Sequence, residues 1–237
     1  MGTTSGSGGD RADEAYAHWS RLHGGLDPRG SWWVSRWVRL THACARPLAR
    51  RGVHPDVVTL AGVLLTATVP ALAALGAAWP LVAVVPLVGA AVLDGVDGAL
   101  AAQTGTDSAW GRVLDAVADR CADLLLLASL GVLGAPWWLV AAVAGLTLLL
   151  EYARAGAQAA GMTGPGAVTV WERPSRVLVA AFTAASCAAA WAARAAGVDV
   201  LPDVDGAVLA TTGAVAGLGL ALVGTAHVLR AARSALR

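Results

Sequence analysis

Charges are spaced so widely along this chain that the apolar runs between them predict most of its elements. From Val57 to Leu93 no charged residue occurs, a stretch too long for one bilayer crossing and suited to two of about 20 residues each. Gly76 and Pro80 break it, which predicts helices over roughly 57–76 and 80–103. A second apolar run, Leu124 to Leu150, is split by Gly131, Gly134 and Pro136, and its first half continues backwards into a segment bearing Asp115, Asp119 and Asp123. Helices over roughly 110–131 and 136–158 follow from that pattern. Two more apolar segments, about 174–195 and 206–230, are separated by Gly197, Pro202 and the carboxylates Asp199, Asp203 and Asp205. The expected fold class is all-α, a polytopic membrane protein with six crossings.

Ahead of the first crossing the pattern changes. The chain starts MGTTSGSGGD and shows no apolar signal-peptide core in its first residues, so residues 1–30 are expected to be a polar cytoplasmic tail, disordered over 1–15. Between Ser31 and Arg51, Trp32, Trp33 and Trp37 interleave with Arg36, Arg39, Arg46 and Arg50. That arrangement predicts an amphipathic helix lying in the interface over residues 31–52, with a solvated basic linker as the alternative. Residues 53–237 then form the membrane domain.

Composition supports the same class. Mean hydropathy is +0.61, with 57% hydrophobic and only 14% charged residues, which is not the balance of a soluble domain. With 28 Gly and a single Phe, close helix approach through small residues is expected. The 17 basic residues are all Arg and the net charge is +1, which argues against nucleic acid as a partner and excludes lysine Schiff-base chemistry. Cys44, Cys121 and Cys187 have neither zinc-ligand spacing nor an even number for a disulfide framework. Arginine sets the orientation. Arg36, Arg39, Arg46, Arg50, Arg51, Arg112, Arg154, Arg173, Arg176, Arg230, Arg233 and Arg237 fall on one side of the predicted crossings, and the other side offers only Arg194. Both termini are therefore expected in the cytoplasm and the protein in the cytoplasmic membrane.

Chemistry enters with four carboxylates. Asp94 and Asp97 stand at i and i+3, Asp115 and Asp119 at i and i+4, so each pair shares one face of its helix. One Asp at a helix end facing water needs no explanation. Four at these spacings on consecutive membrane helices point to a divalent cation, and an all-oxygen set favours Mg²⁺, Mn²⁺ or Ca²⁺ over zinc.

The segment Asp94-Gly-Val-Asp97-Gly98-Ala-Leu-Ala101-Ala102, followed at fixed spacing by Gly111, Asp115 and Asp119, resembles the signature D-x2-D-G-x2-A-R-x8-G-x3-D-x3-D of the CDP-alcohol phosphotransferase family. Seven of its eight fixed positions match. Pro55-Asp56-Val-Val-Thr59 resembles the P-[ND]-x-x-T element that opens that family's first membrane helix. One position departs: Ala102 stands where the family has Arg, with Arg112 or Arg120 as candidates to compensate.

The resemblance implies a membrane enzyme of phospholipid biosynthesis. It would transfer a phosphatidyl or other substituted phosphate group from a CDP-alcohol, such as CDP-diacylglycerol, to an acceptor alcohol and release CMP. It implies Mg²⁺ or Mn²⁺ held by Asp94, Asp97, Asp115 and Asp119, with Asp119 the candidate general base. The nucleotide would lie against Asp56, Thr59, Gly98, Gly111 and Arg112, and a homodimer is expected. Glu151-Tyr152-Ala-Arg154 and Trp171-Glu172-Arg173-Pro174 resemble stretches of phosphatidylinositol-phosphate and phosphatidylglycerophosphate synthases within that family, which implies that Arg154 and Arg173 bind the acceptor. Glu151 stands where a small polar residue is usual. A transporter, or a non-catalytic relative using the Asp cluster for ions, is the alternative reading. The transporter is disfavoured because no internal repeat is present.

Overall fold

A computed structural model describes residues 13, 15–17, 19–20, 25, 27–162, 167–198 and 204–237. The expected tail over 1–15 lies outside the described residues except for Asp13 and Ala15, as do Asp199, Pro202 and Asp203. Among the described residues the elements are helical, without a strand. A 3-10 turn at Pro28–Gly30 leads to α1 (Trp32–Arg50), α2 (Pro55–Ala74), the single turn α3 (Trp79–Val82) and α4 (Val84–Thr104). Then come α5 (Ala109–Val132), α6 (Trp137–Ala159), α7 (Arg173–Ala195) and α8 (Gly206–Ala235).

Among the described residues, five segments are long and apolar enough to cross a membrane: α2, α3 with α4, α6, α7 and α8. The expected sixth, α5, has the length, at 24 residues, but carries Arg112, Asp115, Asp119, Arg120 and Asp123. Its charge, not its length, separates it from the others. The segment expected as one helix over 80–103 is interrupted at Ala83. Pro86 explains this, because it has no N–H to donate to the carbonyl of Val82 and its ring crowds that carbonyl. The chain resumes as a helix at Val84. At the far end of α4, Gly105 takes a φ of 65° and terminates the helix as residues with a side chain rarely can.

The chain divides into two compact units, with the divisions falling inside α2, α4 and α5. The first contains residues up to Ala61 together with Ala91–Ala116. Its core is Ala45 of α1, Val58 of α2, and Val96, Ala99 and Leu100 of α4. Helix α1 is two-faced. Val38, Thr41 and Ala45 are buried, whereas Trp32 and Trp33 are exposed. Trp32, Trp33 and Trp37 stack in sequence with centroid spacings of 6.1 and 6.3 Å. Gly95 lets α1 approach α4: a Cβ there would lie 2.6 Å from Thr41 Cγ2 and 3.2 Å from Trp37 Nε1.

The second unit comprises Gly62–Ala90 and Val117–Arg237. Its larger core gathers Leu127 and Leu130 of α5, Val143 and Leu150 of α6, and Ala210, Ala214 and Ala221 of α8 around Trp171. Trp171 is fully buried and donates its indole N–H to Thr147 Oγ1 at 2.8 Å. Gly217 and Gly224 of α8 make room for it, since a Cβ at either would come within 3.2 Å of the Trp171 side chain. Small residues thus set helix spacing here, as expected where lipid offers no hydrophobic drive between helices.

Gly95→Ala is expected to lower the thermal unfolding midpoint of the detergent-purified protein, through overpacking of about 1–3 kcal/mol. Adding Thr41→Ser, which removes the methyl group in the way, should recover much of that loss. A Gly95→Ala midpoint equal to wild type would contradict the close packing of α1 on α4.

Candidate active site

Within the first unit lies a cavity of about 520 Å³. Helix α1 lines it with Trp37, Thr41 and His42, and the start of α2 with Pro55, Asp56 and Thr59. Asp94, Asp97 and Gly98 reach it from α4, and Gly111, Arg112 and Asp115 from α5. The local sequence explains this convergence. Ser108 accepts the Gly111 N–H at 2.9 Å and so caps the start of α5, while the turn at Gly105 brings α5 back beside α4.

Asp94 and Asp115 present carboxylate oxygens within 4.8 Å of each other, and Asp119 follows Asp115 one turn along α5 with its oxygen in the same range of Asp115. Oxygen ligands alone, on a helical frame, suit a hard divalent cation. Asp97 is buried and differently engaged. Its Oδ2 accepts from Thr59 Oγ1 at 2.7 Å and its Oδ1 from the Gly98 N–H at 2.7 Å. The first of these bonds ties α4 to the start of α2. A Cβ on Gly98 would meet nothing within 4 Å, so the missing side chain leaves open cavity. At Gly111 a Cβ would lie 3.2 Å from Ser108 Oγ. Arg112 lines the cavity and pairs with Asp107 at 3.2 Å. Ala102 sits in the last turn of α4, and the neighbouring Gln103 donates to the His42 carbonyl at 3.0 Å.

Arg154 and Arg173, expected at an acceptor site, belong to a network in the second unit. Arg173 pairs with Asp119. Arg154 grips Glu172 with two hydrogen bonds of 2.7 and 3.2 Å. Arg176 is buried to 1% exposure and binds Asp123 at 2.6 Å, Glu151 at 2.8 Å and the Trp171 carbonyl at 2.9 Å. Arg120 reaches Asp123 and Glu151, each at 3.2 Å, and Asp119 at 3.6 Å. Arg120 is therefore committed here and does not stand in for the Arg absent at position 102. Thr169 donates both its N–H and its hydroxyl to Glu172, at 2.8 and 2.9 Å. Burial pushes the Glu172 carboxyl up, but the Arg154 and Thr169 hydrogen bonds outweigh it and hold the group below the usual carboxylate range.

Two groups of site residues escaped the sequence reading. Trp37, Thr41 and His42 were legible only as an interfacial helix, although they line the cavity. Asp123, Glu151 and Arg176 were not read as one cluster because Arg176 lies 53 residues from Asp123 and 25 from Glu151. Asp119 and Asp123 at i and i+4, and Arg173 and Arg176 at i and i+3, are the spacings that signal two charged faces able to meet.

Together these features define a polytopic helical membrane protein that presents clustered carboxylates from two consecutive helices at a polar cavity. The chain belongs to the CDP-alcohol phosphatidyltransferase family, whose model matches residues 52–225. It is similar to the phosphatidylinositol phosphate synthase of Mycolicibacterium smegmatis, at 33% identity over 157 residues, covering 60% of this chain and 66% of that protein. The chain thus spans just under two thirds of that relative's length. The archaetidylinositol phosphate synthase of Pyrococcus horikoshii is 32% identical over 144 residues, covering 56% of this chain and 70% of that one. In fold the chain resembles the crystal structure of Mycobacterium tuberculosis phosphatidylinositol phosphate synthase with CDP-DAG bound. That match has a TM-score of 0.62 at 23% identity and covers 82% of this chain and 94% of the other. The same enzyme has been solved with manganese and citrate, and matches with a TM-score of 0.62.

The Glu172 contacts predict an acid-side stability slope. A carboxyl held low in the folded state contributes stability that is present above its unfolded value, about 4.5, and is lost as pH falls through the folded value. Glu172→Gln should therefore lower the unfolding midpoint at pH 6–7 and converge with wild type toward pH 3. A difference independent of pH would contradict the ion-paired assignment.

Proposed function

We propose that this chain is a metal-dependent CDP-alcohol phosphatidyltransferase of phospholipid biosynthesis, acting on a donor such as CDP-diacylglycerol at the cytoplasmic face of the membrane. The single observation that carries the reading is the approach of Asp94 and Asp115 to within 4.8 Å at the wall of a cavity that Asp56, Thr59, Gly98 and Arg112 also line. Asp94, Asp97, Asp115 and Asp119 would hold Mg²⁺ or Mn²⁺, which supplies positive charge for the donor's diphosphate and for the leaving CMP. Asp56 and Thr59, at the opening turn of α2, hold the cytidine part, and Gly98 and Gly111 give the diphosphate room against the backbone. Arg112 offers the guanidinium contact that position 102 lacks.

The acceptor oxygen bonds to the phosphorus that carries the lipid, and the bond from that phosphorus to the oxygen shared with CMP breaks. CMP leaves with the electron pair. Asp119 takes the hydroxyl proton, and Arg154 and Arg173 orient the acceptor. With the Arg bias reading both termini as cytoplasmic, the carboxylates face the compartment that supplies CDP-activated donors. A homodimer in the cytoplasmic membrane completes the proposal.

The test is CMP release from CDP-diacylglycerol by the purified protein, with Mg²⁺ or Mn²⁺ and a mixture of acceptors. Asp94→Asn, Asp97→Asn and Asp115→Asn should each reduce turnover by more than about a hundred-fold while remaining folded. Near-normal release by all three would overturn the reading. Orientation is checked separately: a cysteine at Val198 should react with an impermeant reagent added to intact cells, and one at Gly105 should not.

A further inference from the structure

The arginine network bears on the acceptor that the proposed reaction uses. Its guanidiniums, Arg120, Arg154, Arg173 and Arg176, are matched one for one by the carboxylates Asp119, Asp123, Glu151 and Glu172. At its centre, Glu151 collects three guanidiniums on one carboxylate: Arg176 at 2.8 Å, Arg120 at 3.2 Å and Arg154 at 3.7 Å. Three converging guanidiniums are the arrangement that recognises an oxyanion such as phosphate. Here a side chain of the protein already occupies it.

We infer that Glu151 fills the place of an acceptor phosphate, and that the acceptor of this chain is an alcohol without a phosphate group. The inference rests on the proposed transfer reaction and adds its acceptor class. A phosphomonoester brings about two negative charges at neutral pH. Placed among groups already in balance and no more than 26% exposed, it would leave its charge uncompensated, which is costly in a poorly solvated site. If Asp119 turns to a cation, the network loses one negative charge, against the two that the phosphate brings. A neutral polyol or a zwitterionic amino alcohol asks for hydrogen bonds only. The rim of the cluster, from Glu151 through Arg154 to Glu172, offers donors and acceptors together.

The experiment is isothermal titration of the full-length protein in detergent with glycerol 3-phosphate, on wild type and on Glu151→Gln. Wild type should show no saturable binding up to millimolar ligand. Glu151→Gln, which removes the one carboxylate that Arg120, Arg154 and Arg176 share and leaves the network with an excess positive charge, should bind at least ten-fold more tightly. Should Glu151→Gln fail to fold, Glu172→Gln removes the other carboxylate that Arg154 holds, leaves the network the same excess of positive charge and gives the same readout. Saturable wild-type binding at micromolar ligand, or a folded variant that gains nothing, overturns the inference. Binding is read without turnover, so its failure is separate from failure of the transfer reaction. In the CMP-release assay, glycerol, myo-inositol or serine should be used in preference to glycerol 3-phosphate or inositol phosphate, and preference for a phosphorylated acceptor also overturns the inference.

Discussion

A carboxylate on a helix that enters a membrane must be matched by positive charge or by water, because leaving it uncompensated in a poor solvent costs several kcal/mol. That constraint organises the polar half of this protein. Its mostly Ala, Val and Leu helices give no other reason for charges to occur where they do. Along α5, Asp115 approaches Asp94, whereas Asp123, two turns further on, is closed off by Arg176 and Arg120. Asp119 stands between them, on the face of Asp115 and paired with Arg173. One helix therefore passes from a group that suits a cation to a group already neutralised by the protein.

The buried part of the arginine network also supports the fold. Arg176 holds α7 to α5 through Asp123 and to α6 through Glu151, and accepts no solvent in doing so. Buried pairs of this kind are weak contributors to net stability, but removal of one partner leaves an uncompensated charge and is strongly destabilising. Trp171 lies next to this network, with its carbonyl on Arg176 and its indole on Thr147. Its ring packs against Gly217 and its Cβ against Gly224, which links the polar network to the small-residue packing of α8.

Much of the architecture was legible in apolar run lengths. The expected helix over 57–76 is observed at Pro55–Ala74, that over 136–158 at Trp137–Ala159, and that over 174–195 at Arg173–Ala195. The break at Ala83 was less visible, since Pro86 lies inside an apolar stretch whose hydropathy does not change. The spacing of Asp94, Asp97, Asp115 and Asp119 placed them on shared helix faces, and the structure brings Asp94 and Asp115 together. Periodicity says nothing about which face meets which. Hence the turning of Asp97 to Thr59, the entry of Trp37 and His42 into the cavity wall and the neutralisation of Arg154 and Arg173 became visible only in three dimensions.

The central claim is that the carboxylates fall into two sets, one that takes a divalent cation and one that takes arginine. Titration of Mn²⁺ against the purified protein, followed by the loss of the free-ion electron paramagnetic resonance signal, tests it most directly. Wild type and Glu172→Gln should bind Mn²⁺ with the same affinity, and Asp115→Asn should bind it at least ten-fold more weakly. Equal binding by all three, or a loss in Glu172→Gln as large as that in Asp115→Asn, would contradict the division.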